Sequence, residues 1–169
     1  MSEQSSILKE NAEFLFTRLL KTVEGLTEEE AKWKPTPESN NIEWQLNHLS
    51  RITNLSMPRL IKEDHEWTPK DWAANYKETV HNIHRLIEDI EKGKKLVLTE
   101  LGALSNAQLE KDTKYWGGTR KFKVGLFAYL AEIAHHKGQI AYIRGTFARG
   151  QGARALCFCM DAVSVYGFY

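Results

Sequence analysis

Three residues with side chains suited to metal binding, His48, Glu132 and His136, stand in helical patterns of apolar residues. Glu132 and His136 are four residues apart in a segment whose apolar residues recur every three or four positions, so both lie on one helix face. His48 lies on the apolar face of an earlier helical pattern. Imidazole and carboxylate groups bind divalent metals, and facing helices of a bundle can direct them to one ion. We therefore expect these three residues to form a metal site inside a helical bundle.

Each of these residues also has a simpler interpretation when it is considered alone. His48 fits a buried or helix-end histidine that bonds to the protein, and Glu132 fits a surface carboxylate or a general base. His135 points about 100° away from His136 around the helix, so it could support a ligand, pack against a helix or itself be the ligand. Gln139 could hydrogen-bond a ligand or the second helix. Residue by residue, the sequence leaves these alternatives open.

The composition is that of an ordinary globular protein and argues against several classes of partner. The chain has 169 residues, of which 42% are hydrophobic and 27% are charged, enough for one domain with a core. A net charge of +1 gives no electrostatic basis for binding nucleic acid or an anionic membrane. No apolar run approaches the ~20 residues of a membrane span, and the first residues do not resemble a signal peptide. The two cysteines, Cys157 and Cys159, are separated by one residue and cannot cross-link the fold, so a cytoplasmic location is expected.

Helical periodicity and capping residues predict four long helices and no strand. The second helix is expected to kink or end at Pro58, because proline removes a backbone donor. The third is expected to start at Thr68 and Pro69, a cap followed by proline at the first helical position. Shorter helices are expected after Thr27 and Ser105, where capping-box patterns occur. The long helices are predicted at residues 6–24, from 42 onward, at about 69–101 and at about 121–147.

These elements predict an all-α fold over residues 1–150, an antiparallel four-helix bundle with short extra helices in its connections. The last helix carries small residues on one face, including Ala131, Ala134 and Gly138, which suits a close helix contact or a dimer interface. The tail, residues 151–169, is apolar and has no clear period. Because exposing so apolar a segment to water is unfavourable, we expect it to pack on the bundle or on a partner chain.

Several segments resemble motifs of the DinB/YfiT-like superfamily of metal-dependent bundle proteins. The most specific is His135-His136-Lys137-Gly138-Gln139, which resembles that superfamily's double histidine followed by a basic residue, glycine and glutamine. The resemblance extends over about residues 8–150. The weaker matches are segments 26–35, 41–49 (which contains His48) and 105–109.

The resemblance implies an antiparallel four-helix bundle, often dimeric, with three histidines that bind a divalent metal. One histidine comes from the second helix and falls on His48, and two come from the fourth helix, four residues apart. The later of these falls on His136, but the earlier falls on Glu132, which is not a histidine. Two histidines and a carboxylate still suit zinc or iron(II), although the substitution could equally weaken or abolish metal binding.

The resemblance also implies a class of activity, because known members transfer low-molecular-weight thiols or catalyse thiol-dependent isomerisation. We expect a divalent-metal-dependent enzyme that acts on a small molecule by thiol transfer or metal-assisted hydrolysis, as a homodimer, with zinc, nickel, iron or manganese. Trp44, Tyr76 and Trp116 are expected to wall the site. The alternative is a non-catalytic, dimeric, stress-related bundle whose metal site is vestigial or structural.

Overall fold

Helices make up most of the computed structural model, which describes residues 2–115 and 117–150. In chain order these are α1 (Glu3–Thr22), α2 (Glu28–Lys32) and α3 (Ile42–Arg51), which continues through a π-helical segment (Ile52–Ser56) into α4 (Met57–Lys62). They are followed by α5 (Ile83–Ala103), α6 (Asn106–Leu109), strands β1 (Asp112–Tyr115) and β2 (Gly118–Lys121), and α7 (Phe122–Gly150).

Side chains that cap helix N-termini explain where several helices begin. Those of Thr27, Asn41, Asn82 and Ser105 each accept a hydrogen bond from the backbone N–H three residues later. Each bond satisfies a donor that the first turn of a helix would otherwise leave free. Ser105 also forms the expected capping box with Gln108. The helix starts predicted after Thr27, Asn41 and Ser105 are confirmed.

Contacts near the helix ends establish how the long helices run. Oγ of Ser5, early in α1, donates to the carbonyl of Leu101, late in α5, at 2.5 Å, so these two helices are antiparallel. Arg144, late in α7, donates to the carbonyl of Thr22, at the end of α1, at 2.6 Å, so α1 and α7 run the same way. The core lies between these helices and α3–α4, and includes Phe16 with no exposed surface.

The pairing of α3–α4 with α5 is parallel, which departs in part from the antiparallel arrangement predicted. Asn54 donates to the carbonyl of Asp89 at 2.7 Å. Further along both elements, Lys62 forms an ion pair with Glu100 at 2.5 Å. Because two consecutive helices can run parallel only when the chain returns between them, the connection at residues 63–82 crosses back along the fold.

This connection contains the predicted start of the third helix, and that prediction is wrong. The helix α5 begins at Ile83, with Asn82 as its cap, rather than at Pro69. Asp71 has a φ of 66°, a left-handed conformation that a right-handed helix cannot include. The cap and proline pattern at Thr68 and Pro69 therefore opens a series of turns instead of a helix.

The prediction that no strand is present is also wrong, since β1 and β2 form an antiparallel hairpin. Asp112 pairs with Lys121, and Thr113 pairs with Arg120. The turn includes Gly117, which has a φ of 74°, a conformation that glycine adopts without steric strain. Because both strands are short and polar, they carry no alternating apolar pattern that would reveal them in the sequence.

The predicted disturbance near Pro58 takes the form of the π-helical segment that joins α3 to α4. Pro58 lies in the first turn of α4, directly after this segment, and it lacks the backbone donor that would bond to the preceding turn. Opposite the π-helical segment, α5 approaches so closely that a Cβ on Gly93 would stand 2.4 Å from Oγ1 of Thr53. A larger residue at position 93 would therefore push α5 away from this segment.

A buried carboxylate, Asp89, fastens the crossing connection to α3 and α5. Asp89 is 2% exposed and accepts hydrogen bonds from the Tyr76 hydroxyl at 2.9 Å and from Arg85 at 2.7 Å. Tyr76 also bonds to Oγ of Ser50 on α3 at 2.8 Å. Burial raises the pKa of Asp89, but hydrogen bonds from Arg85, Tyr76 and Lys92 more than offset it and leave the pKa below its usual value.

Two expectations concern the limits of the described structure. None of the helices within residues 2–115 and 117–150 has both the length and the apolarity needed to cross a membrane. The tail, residues 151–169, for which packing on the bundle or on a partner chain was expected, lies outside the described residues.

The network at Asp89 predicts a pH-dependent contribution to stability. Asp89→Asn should lower the free energy of unfolding by about 1–3 kcal/mol at pH 7, because it removes the charge that Arg85 and Tyr76 stabilise. Since the folded state lowers the pKa of Asp89, this contribution is present above pH 4 and is lost as the pH falls through the folded-state pKa. Urea unfolding of both proteins between pH 7 and pH 3 measures the difference.

Asp112→Asn is the matched control for this measurement. Asp112 pairs with Lys121 on the surface, where its side chain is 63% exposed, and exposed ion pairs contribute little. An Asp89→Asn protein no less stable than Asp112→Asn at pH 7 would show that the buried network does not stabilise the fold.

Candidate metal centre

His48 on α3 meets Glu132 and His136 on α7 where these two helices pack together. Nε2 of His136 lies 3.3 Å from Oε2 of Glu132, and Nε2 of His48 lies 3.7 Å from the same oxygen. The two imidazole rings meet edge to face, with centroids 4.7 Å apart. Each residue offers one ligand atom, and these atoms all lie within 4.8 Å of one another. The structure thus brings together the three residues predicted to bind metal, which we call the ligand group.

The orientation of His136 is fixed by two glutamines on the far side of its ring. Its Nδ1 donates to Oε1 of Gln45 and to Oε1 of Gln139, the latter at 2.9 Å. The amide of Gln139 is itself oriented, because its Nε2 donates to Nε2 of His135 at 2.9 Å. The proton of His136 is therefore on Nδ1, and the lone pair of Nε2 points toward Glu132. Such outer hydrogen bonds are typical of metal-binding histidines.

This arrangement places two hydrogen-bond acceptors against each other. Burial lowers the pKa of His136 and outweighs the hydrogen bond to Gln139 and the negative charge of Glu132, both of which raise it. A neutral His136 with its proton on Nδ1 presents a bare nitrogen to the Glu132 carboxylate, 3.3 Å away. A cation bound by both atoms would turn this repulsion into attraction.

His48 contributes a second neutral imidazole, on the more open side of the group. Burial lowers its pKa, and the neighbouring His136 and the positive charge of Arg51 lower it further. The indole of Trp44 stacks on the His48 ring, with centroids 5.3 Å apart and planes at 13°. Since Trp44 is one turn earlier on α3, the stacking fixes the ring orientation from the same helix.

The donor atoms fit a divalent metal in both type and spacing. A tetrahedral ion with bonds of 2.0–2.1 Å separates neighbouring ligand atoms by about 3.3 Å. The distances from Oε2 of Glu132 to the two imidazole nitrogens, 3.3 Å and 3.7 Å, are close to this value. Two histidines and one carboxylate form a ligand set that leaves positions open for water or substrate. His48, Glu132 and His136 could therefore share such an ion, and the ligand atoms of the two histidines lie within 4.8 Å of each other.

The other residues predicted at the site occupy different positions around it. His135 is exposed, stands edge to face with the His136 ring at 5.2 Å between centroids and bonds to Gln139, so it lies beside the ligand group rather than in it. Trp44, which is 46% exposed, stands beside His48 as a wall residue would. Tyr76, within the crossing connection, is 2% exposed and does not line the open cleft. Trp116, the third predicted wall residue, lies outside the described residues.

Gln45 is the residue of this site that sequence reasoning missed. It is 4% exposed and three residues before His48, so the two share the inner face of α3. A buried amide on an otherwise apolar face needs a hydrogen-bond partner. That requirement could have linked Gln45 to one of the buried histidines.

Two clefts flank α3 at the ligand group. One, of about 390 Å³, includes Trp44, His48 and Arg51 in its wall. The other, of about 670 Å³, lies behind His136 and includes Gln45 and Gln139. Because His48 belongs to the first cleft and is 29% exposed in its side chain, a small molecule there can approach the ligand group. The lining of the second cleft includes the two glutamines that orient His136 but none of the three ligand residues.

Comparisons with known proteins agree with this fold. A family model described as the DinB superfamily matches residues 12–140. A conserved protein of Enterococcus faecalis, known from a crystal structure, is similar with a TM-score of 0.67 over 85% of this chain and 96% of that chain. The two sequences are 18% identical, so this similarity concerns the fold alone. No curated protein matches the chain.

The ligand group predicts which substitutions abolish metal binding. The protein, purified without an affinity tag and incubated with Zn²⁺, should retain about one ion per chain after dialysis. His48→Ala, Glu132→Ala and His136→Ala should each lose the ion while the far-UV circular dichroism of the helices is kept. Inductively coupled plasma mass spectrometry measures the metal content.

His135→Ala and His84→Ala serve as controls, since His135 lies outside the ligand group and His84 is exposed on α5. Both should retain zinc. Loss of zinc in His135→Ala with full retention in His136→Ala would show that the adjacent histidine is the ligand.

The two glutamines predict a graded effect on affinity rather than a loss of the site. Gln45→Met and Gln139→Met should each weaken zinc binding by about 10–100-fold, because the His136 ring loses a partner that fixes its tautomer. Competition with a chromophoric chelator measures the affinity, and saturating zinc should restore full occupancy. Lys137→Met, which changes a residue outside this hydrogen-bonded group, should bind as the unsubstituted protein does. Equal affinities in all four proteins would contradict an orienting role for the glutamines.

Proposed function

The chain belongs to the DinB superfamily, and from that premise we propose that it is a divalent-metal-dependent enzyme acting on a small molecule. The reaction would be thiol transfer or metal-assisted hydrolysis, carried out on a four-helix bundle. The ligand group is formed by His48, Glu132 and His136, and the cleft of about 390 Å³ receives the substrate.

One observation carries this proposal: the bare Nε2 of His136 faces the carboxylate of Glu132 across 3.3 Å, with Nε2 of His48 nearby. Buried polar groups in folded proteins are normally satisfied. Two hydrogen-bond acceptors turned toward each other fit a site that binds a cation. The Nδ1 hydrogen bonds to Gln45 and Gln139 keep the ring in this orientation.

The partial exposure of the group supports catalysis over a purely structural site. His136 has 7% of its side chain exposed, whereas His48 and Glu132 have 29% and 34%. Structural metal sites are usually closed by four protein ligands, and catalytic sites keep a position open. Three ligands with two of them facing solvent therefore favour an ion that can also bind a substrate atom.

The chain's residues have distinct parts in the proposed chemistry. A divalent metal, when bound, lowers the pKa of a coordinated water or thiol so that a nucleophile exists near neutral pH. Gln45 and Gln139 hold the His136 ring, and Trp44 covers one face of His48, which reduces access of bulk water. If Glu132 is not a metal ligand, its carboxylate would instead accept a proton from the activated group as a general base.

We also propose that the enzyme acts as a homodimer, with the solvent-facing side of α7 at the interface. Val124, Phe127 and Tyr142 are large apolar residues on α7 and are 42%, 50% and 65% exposed. Contiguous exposed apolar surface often marks an interaction site.

A non-catalytic, metal-binding bundle is the competing function, and Glu132 in place of the superfamily's histidine is the observation that favours it. An activity test separates the two. Metal-free protein and protein loaded with Zn²⁺, Ni²⁺, Fe²⁺ or Mn²⁺ would be incubated with cysteine or glutathione and 1-chloro-2,4-dinitrobenzene, and separately with 4-nitrophenyl acetate. Product absorbance measures thiol transfer in the first case and hydrolysis in the second.

We expect one of the loaded proteins to accelerate one reaction by at least about 100-fold over the metal-free protein. His136→Ala should abolish this gain, and His84→Ala, on the far α5, should leave it unchanged. If every loaded protein matches the metal-free one although metal is bound, the non-catalytic function is the correct one.

A further inference from the structure

The cleft beside His48 contains a cation whose charge is not balanced locally. Arg51 is half-buried at the end of α3, three residues after His48, and both line the cleft. In the described part of the chain, no carboxylate lies within ion-pair distance of its guanidinium.

Other arginines of this fold show what a paired guanidinium looks like here. Arg144 binds the carboxylate of Glu30 at 2.7 Å, and Arg85 binds that of Asp89 at 2.7 Å. The first pair joins α7 to α2, and the second lies within α5 at the buried Asp89 network. Arg51 has no comparable structural partner in residues 2–115 and 117–150, so its five donors are available to a molecule in the cleft.

The remaining charges in the cleft do not cancel this cation. Its wall carries Lys34, Arg51 and Lys77 against Glu43 and Glu78, so positive side chains outnumber negative ones by three to two. The neutral His48 adds no charge, and a bound divalent ion would add more positive charge than Glu132 removes. The cleft therefore attracts anions, although the whole chain carries a net charge of only +1.

The shape of the cleft adds a second requirement. Trp44 is 46% exposed beside His48, which provides a flat apolar surface next to the ligand group. Along α3, Trp44, His48 and Arg51 follow one another at intervals of four and three residues on one face. A ligand lying along this face would meet an aromatic ring, the metal site and a guanidinium in order.

We propose that this cleft is an anion-selective substrate subsite, in which Arg51 binds the carboxylate, or another planar or tetrahedral oxyanion, of a small molecule whose donor atom reaches the metal site. The substrate class is then a small acid that carries a metal-binding group such as a thiol. This inference rests on the proposed function where the donor atom of the substrate binds the metal. Binding of the anion by Arg51 does not depend on that function. Arg51 is a binding residue in this scheme, because guanidinium forms paired hydrogen bonds with carboxylates and phosphates.

The experiment compares two probes that differ only in charge, 3-mercaptopropionate and 3-mercaptopropionamide. Each is titrated into Co²⁺-loaded protein at low ionic strength, and the cobalt absorption bands report thiol binding. We expect the acid to bind at least about tenfold more tightly than the amide. Arg51→Gln should reduce this preference to within about twofold while cobalt content stays unchanged.

Arg18→Gln is the matched control, since it removes an equally charged, half-buried arginine from α1, outside the cleft. It should keep the preference of the unsubstituted protein. Equal binding of acid and amide to the loaded protein, or an undiminished preference in Arg51→Gln, would overturn the proposal. Added salt should weaken binding of the acid more than that of the amide.

A metal-free arm separates failure of the subsite from failure of the proposed function. The Nε–Hε resonance of Arg51, assigned by its absence in Arg51→Gln, should shift on addition of millimolar 3-mercaptopropionate and not of the amide. If the protein binds no metal but this resonance shifts with the acid alone, the proposed function fails and the subsite stands. If metal is bound and neither the resonance nor the affinity distinguishes the probes, the subsite fails and the proposed function is not contradicted.

Discussion

The orientation of one imidazole determines what this site can do. Gln45 and Gln139 accept hydrogen bonds from Nδ1 of His136. These bonds fix the ring, so the direction of the Nε2 lone pair is also fixed. That direction leads to the carboxylate of Glu132 and toward His48. With the opposite tautomer, His136 would simply donate to Glu132, and the group would be a satisfied hydrogen-bonded cluster. The hydrogen bonds behind the ring thus distinguish a cation site from an internal polar contact.

The rest of the fold positions the two helices that face each other across this site. α3 carries Trp44, Gln45, His48 and Arg51 within about two turns, so one helix supplies the aromatic wall, an orienting amide, a ligand and the anion-binding group. The buried network at Asp89 ties the crossing connection to α3 through Tyr76 and Ser50. Because residues 77–81 of that connection form the opposite wall of the cleft, Tyr76 affects the cleft without entering it.

Periodicity predicted the ligand group because polar side chains interrupt two apolar helix patterns. His48 and His136 stand where apolar residues are expected, and helix geometry places Glu132 one turn from His136. The start of α5 could not be obtained in this way, since the cap and proline at Thr68 and Pro69 are as suitable locally as Asn82. Only the packing of Tyr76 against the bundle makes the connection continue to Asn82. Likewise, the β hairpin depends on backbone pairing, and its short polar strands have no apolar alternation that would predict it.

A carboxylate in the ligand set changes the electrostatics of the whole cleft. Relative to a site with a third neutral histidine, Glu132 lowers the net charge of a bound divalent ion by one unit and makes the ion a weaker attractor of anions. Arg51, on the same face of α3 as His48, restores positive charge a short distance away, where it can bind a part of the substrate that is not at the metal.

The separation of these charges matters, because a charge held at the end of a side chain selects for the length of the ligand as well as its sign. A monodentate anion that binds only the ion gains nothing from Arg51, whereas a molecule with a donor atom and an acid group gains from both. Glu132 and Arg51 together therefore make the cleft more selective for such bifunctional molecules than the metal charge alone would.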